Sequence, residues 1–152
     1  MKKIYCIIAI CLFKFNFAYS LIEVDITRGN LDPLPITVSP LHVDPQSDNY
    51  QDNKIKELGE LISSVVEKNF RSTGLFNPLN KDAFVQKPDI AHLKPRFEDW
   101  RLITAQALVT GKLLVKDEKL KIEFRLWDVA ANKEIVALAF TTTPSNWRKR
   151  IF

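Results

Sequence analysis

The stretch that decides the fold is "AQALVTGKLLVKDEKLKIEFRLWDVAANKEIVALAFTT", residues 105–142. Its first part, 105–115, is apolar with a single Gly, and its last part, 134–142, is apolar again. Between them, Leu120, Ile122, Phe124 and Leu126 alternate with Lys121, Glu123, Arg125 and Trp127. A period of two over this length is the pattern of a strand with one face buried. Asp117-Glu118 and residues 130–133 are the only links between these runs, and they are short enough for antiparallel hairpins. The spacing therefore predicts a three-stranded meander.

Upstream the period changes. Ile55, Leu58, Ile62, Val65, Val66 and Phe70 recur at helical spacing, which predicts an amphipathic helix over about 50–72. Asp48 with Gln51 three residues on reads as a capping box, and Gly74 stands where a left-handed C-terminal stop belongs. Ile36-Thr37-Val38-Ser39, flanked by Pro35 and Pro40, reads as the first strand, and residues 75–78 as a brief one. Residues 80–95 read as a long connection with one turn of helix, and 97–103 as a second, shorter helix. Pro144 reads as the first position of a last helix that has barely two turns before Phe152. The expectation for that ending is an interrupted helix in a fragment of a longer chain. Helix, connection and meander together predict an α/β (α+β-like) fold, a mixed sheet of about five strands packed against two helices, with an extended N-terminal arm.

The N-terminus has a different character. Lys2 and Lys3 precede ten uncharged residues, 4–13, and Ala18-Tyr19-Ser20 follows with small residues at its first and third positions. That order predicts a secretory signal peptide cut after Ser20. A spanning helix needs about 20 apolar residues, and Lys14 interrupts this run too early. No integral membrane segment is expected after cleavage. Removing Lys2, Lys3 and Lys14 from the 22 basic residues leaves 19 against 18 acidic ones, so the net charge falls from +4 to +1. The basic balance therefore gives no support to nucleic-acid binding, and Trp147-Arg148-Lys149-Arg150 reads as a solvated helix start. Both cysteines, Cys6 and Cys11, lie within the signal, so residues 21–152 form neither disulfides nor thiolate metal sites. Of the 152 residues, 46% are apolar, enough to close a packed core in one domain.

Catalytic chemistry finds few candidates. His42 and His92 are the only histidines, fifty residues apart and in no ligand-pair spacing. A small hydrolase using His92 with Asp89 or Asp99 is the enzyme alternative, beside a stand-alone secreted binding protein and a non-functional fragment. No cofactor and no metal is expected. In the arm, Ile22, Val24 and Ile26 project from one side of an extended strand and Glu23 and Asp25 from the other. Such a segment either adds itself to an exposed sheet edge of a partner or serves as an ordinary edge strand of its own domain.

Taken in order, the signal, the acidic-apolar arm, "PITVSPL" (35–41), "SDNYQDNKIKELGELISSVVEKNFRSTGLFNPL" (47–79), "ITAQALVTGKL" (103–113) and "IEFRLWDVAANKEI" (122–135) resemble the N-terminal domain of the TolB family of periplasmic Tol-Pal proteins. The resemblance covers about 21–152; no single motif is specific, and their order and spacing carry it. It implies a mixed sheet with two helices, followed in that family by a six-bladed propeller that binds the lipoprotein Pal, and no enzymatic activity. It further implies that Leu21, Ile22, Glu23, Val24, Asp25, Ile26, Thr27, Arg28, Gly29, Asn30, Leu31, Asp32 and Pro33 form an arm that docks on the inner-membrane protein TolA. Outer-membrane integrity and cell division are the roles this implies. The division expected is a signal at 1–20, arm and connector at 21–34, the α/β domain at 35–143 and the start of a linker helix at 144–152. The expectation is therefore a form that departs from the family in lacking the propeller, and Pal binding is not carried over.

Overall fold

The computed structural model describes residues 32–151. Three long strands, β4 (Ala107–Lys116), β5 (Lys119–Asp128) and β6 (Lys133–Thr142), form the meander that the alternation predicts. They pair antiparallel from Ala107↔Asp128 to Lys116↔Lys119 and from Leu120↔Thr142 to Asp128↔Lys133. Asp117 and Glu118 both take positive φ, 49° and 60°, the geometry of a two-residue turn matched to strand twist. A register shift between Leu126 and Trp127 marks a bulge against β6.

The other half of the sheet is parallel. Strand β1 (Leu34–Val38) lies between β3 (Phe76–Pro78) and β4, parallel to both, and β2 (His42–Val43) continues along β4 beyond it. The order is β3-β1-β4-β5-β6 with β2 beside β4, so the sheet has six strands rather than the expected five. The additional one is the two-residue β2, too short to leave a periodic signature. The four helices also exceed the expected two, because single turns count among them: α1 (Asn53–Ser72), α2 (Pro88–Ala91), α3 (Phe97–Leu102) and α4 (Trp147–Ile151).

Helix α1 starts three residues later than the sequence predicts. Its N-cap is Asp52, whose carboxylate accepts from the Lys54 N–H at 2.9 Å. Asp48 is engaged elsewhere: its N–H donates to Val115 O at 2.8 Å, and its Oδ2 accepts from Asp117 N–H at 2.9 Å. The tie to the β4–β5 turn, with Asn49 at φ 54°, keeps residues 48–51 out of the helix. At the other end Gly74 takes φ 71°, as the C-terminal stop requires.

The apolar stripe of α1 packs on one face of the sheet. Ile62 is fully buried with Leu41, Val43, Leu113, Leu120, Ile122 and Trp147, while Val66 and Phe70 lie over Ile36, Val38, Ala107 and Val109. Ser63 fixes the helix to the chain between β1 and β2, accepting from Leu41 N–H at 3.0 Å and donating to Gly59 O at 2.9 Å. A Cβ at Gly111 would collide with the Glu123 carbonyl oxygen and stand 2.8 Å from Leu41 Cδ2, so β4 needs glycine where Leu41 crosses it. A separate cluster gathers Ala91, Trp100, Ala105, Leu108, Trp127 and Val129, with Phe84 and Phe97 packed against it. Each fully buried Ile or Leu in these clusters contributes about 1.5–3 kcal/mol of transfer free energy.

The last helix corrects the sequence reading of its start. Helix α4 begins at Trp147, three residues after Pro144, with a turn closed by Asn146 N–H on Thr143 O at 3.0 Å. Trp147 is 4% exposed and belongs to the core cluster under α1, so this segment is anchored rather than solvated.

Candidate functional site

Of the expected arm, residues 21–31, together with the signal and the cut after Ser20, lie outside the described residues. Asp32 and Pro33 are described and exposed. They lead into β1, where Leu34 N–H donates to Leu75 O at 2.9 Å.

The two histidines, fifty residues apart in sequence, meet. His42 on β2 and His92 at the C-terminus of α2 stack with ring centroids 4.1 Å apart and planes 5° from parallel. His92 Nδ1 lies 3.1 Å from Pro88 O; a carbonyl only accepts, so Nδ1 donates its proton there. The local chain explains the meeting. Pro88 starts the single turn α2, which places His92 back over β2. Alternation along β2 sends His42 to the face opposite the buried Leu41 and Val43.

Charges ring this pair. Lys112, opposite His42 in the β2–β4 register, reaches Asp44 Oδ2 at 3.5 Å and Glu123 Oε2 at 3.8 Å. Glu123 also holds Lys121 Nζ at 2.7 Å, and that hydrogen bond is the main cause holding its carboxyl below the usual range. Asp44 is lowered chiefly by the Gln46 N–H, which donates to its Oδ1 at 3.0 Å, with Lys112 adding to the effect. Burial holds His42 below its ordinary 6.5, and the His92 ring adds to this, against the opposing pull of Asp89 and Asp44.

The hydrolase alternative does not take shape here. Asp99 is bound by Arg96, through Nε at 2.8 Å and Nη2 at 2.7 Å, and His92 gives its Nδ1 proton to a backbone carbonyl rather than to an acid. The in-plane lone pairs of two parallel rings do not converge on one point. Among the described residues no group of three metal-ligating side chains forms.

Two features have no counterpart in the sequence reading. The loop residue Gln86 is 3% exposed, and its Oε1 accepts from both Trp100 Nε1 and Arg96 N–H at 3.0 Å. Among the described residues its Nε2 has no hydrogen-bond partner. Strand β6, read as an apolar strand, is the end strand of the sheet among the described residues. Ile135, Val136 and Leu138 are 58%, 40% and 52% exposed, and Val136, Leu138 and Phe140 form with Val66 and Phe70 an open apolar groove of about 270 Å³. The apolar run is visible in sequence; its edge position depends on strand order. Among the described residues, no helix is long and apolar enough to cross a membrane.

Comparison with known proteins places this arrangement. The Tol-Pal system protein TolB of Pelagibacter ubique (strain HTCC1062) is 66% identical over 134 residues, covering 87% of this chain and 30% of that protein. The chain thus spans about 30% of the length of this curated relative. In fold it is similar to TolB from Acinetobacter baumannii, at a TM-score of 0.54 and 15% identity over 78% of this chain and 25% of that one. It is similar too to the LpoB C-terminal domain from Salmonella enterica, at a TM-score of 0.52 and 11% identity over 76% and 87% of the two chains. The model of the TolB amino-terminal domain matches residues 22–135, three quarters of the sequence, and with the six-stranded mixed sheet in place the chain belongs to the TolB amino-terminal domain family.

Proposed function

We propose that this chain is a non-enzymatic protein-interaction module of the Tol-Pal cell-envelope system, working in the periplasm and docking on TolA through residues 21–33. The observation that carries the reading is the family match, which runs from residue 22 through the arm and into β6. The strong identity to a Tol-Pal protein supports the same system. The alternation of Ile22, Val24 and Ile26 against Glu23 and Asp25 supports the mode of contact: backbone hydrogen bonds of an added strand give affinity, and alternate side chains give specificity. In this reading a leader at 1–20 is removed after Ser20, residues 21–34 are arm and connector, 35–143 are the domain, and 144–152 start a linker helix. Outer-membrane integrity and cell division are the cellular roles it assigns, and no Pal contact is assigned to these residues.

The test is a titration of residues 21–152 with the C-terminal domain of TolA, read by amide exchange. Residues 22–26 should gain protection on binding. Deleting 21–33 should abolish binding and leave the thermal midpoint nearly unchanged; binding that survives the deletion would overturn the arm assignment.

A further inference from the structure

We propose that the His42–His92 stack is a pH-operated latch, holding the segment 87–93 against β2 and β4 at neutral pH and releasing it in mildly acidic solution. The argument starts from the contact. Neutral imidazoles stack face to face at 4.1 Å, but two imidazolium rings at that separation, partly shielded from water, repel strongly. The segment has little else to hold it. Helix α2 is four residues long, Ala91 is its one buried side chain, and Ile90 and Leu93 are 47% and 72% exposed. Segments with few buried apolar contacts open first.

The surroundings decide how many protons the pair accepts. Asp44, beyond β2, and Asp89, on α2, favour a proton on His42, while Lys112 on β4 opposes it. Asp44 is already engaged by Lys112 and by the Gln46 N–H. From α1, Lys56 and Glu60 line the cleft at His42 together with Tyr50 and Lys87. From β5, Glu123 and Arg125 line the cavity at His92, and Glu123 is taken by Lys121 and Lys112. Asp44 and Glu123 are thus spent on lysines, and in the cleft itself Lys56 and Lys87 stand against Glu60 and Asp89, so the net charge around the rings does not neutralise two imidazolium ions. Because the fold holds His42 below 6.5, the unfolded or opened state binds the proton more readily. The stabilisation is fully present above about pH 6.5 and is lost as the pH falls through the lowered value. Release of 87–93 uncovers Gly111, Lys112, Glu123 and Arg125, the mixed-charge floor of a cavity of about 130 Å³.

Amide exchange at pH 7.5 and pH 5.0, corrected for intrinsic rates, tests the latch on the whole chain. The probes are Ala91, His92 and Leu93, whose N–H groups donate to Lys87 O, Pro88 O and Ile90 O. Protection at these amides should fall at least tenfold at pH 5.0 while the amides of α1 hold. In His42→Phe, which keeps an aromatic ring but cannot be protonated, the fall should disappear, and in His92→Phe, which removes the repulsion between the rings, it should shrink. Equal protection at both pH values in the unaltered chain, an equal fall in α1, or a fall of undiminished size in His92→Phe overturns the proposal. Since His92 caps a one-turn helix, its variant keeps the test valid even where His42→Phe fails to fold.

Discussion

Replacing Trp147 with Ala tests whether the end of the chain belongs to the core. Its ring is 4% exposed and meets Leu41, Val43, Ile62, Leu113, Leu120 and Ile122 beneath α1, a surface assembled from β2, α1, β4 and β5. Truncating a buried Trp removes its transfer free energy and leaves a cavity that these neighbours fill only in part, for a loss of about 3–5 kcal/mol. At about 4 °C per kcal/mol for a domain of this size, the thermal midpoint should drop by roughly 12–20 °C. Urea unfolding followed by far-UV circular dichroism measures the loss, with Lys149→Ala as the control. Lys149 is exposed, so that change should stay within about 0.5 kcal/mol. Arg148 is a poorer control, because its guanidinium lies 5.2 Å from the Trp147 ring centre and contributes a cation–π contact. A loss below about 1 kcal/mol in Trp147→Ala, or one matched by Lys149→Ala, would refute the anchoring.

Gln86→Leu should cost about 1–3 kcal/mol, because Trp100 Nε1–H and Arg96 N–H lose their shared acceptor while Trp100 stays buried; urea unfolding measures this, and a neutral change would show that water replaces the amide. Leu138→Lys, on the exposed end strand, should alter stability by no more than about 0.5 kcal/mol and reduce concentration-dependent association. Sedimentation at several concentrations checks the second point, and a large loss of stability would contradict the exposure of β6.

How far the fold was legible depended on the range of the interactions that set each element. The meander of β4, β5 and β6 and the apolar stripe of α1 are local periodicities, so their existence followed from residue order. The start of α1 did not, because Asp48 is held by Val115 and Asp117 nearly seventy residues away, and a capping box read from three-residue spacing has no access to that competition. Strand β2 is two residues long and exists only because β4 runs beside it.

The candidate site divides in the same way. The alternation of residues 22–26, the apolar run 4–13 followed by Ala18 and Ser20, and the motif order that marks the TolB amino-terminal domain are all written along the chain. The sequence by itself therefore determined the long elements, the family and the alternation at 22–26. What only the tertiary structure decided is which distant groups share a space: His42 against His92, Gln86 beneath Trp100, Trp147 under α1, and β6 at the sheet's edge. Periodicity records which side of its own element a residue faces. The neighbour on that side is chosen by strand order and crossover, which depend on contacts between residues far apart in the chain.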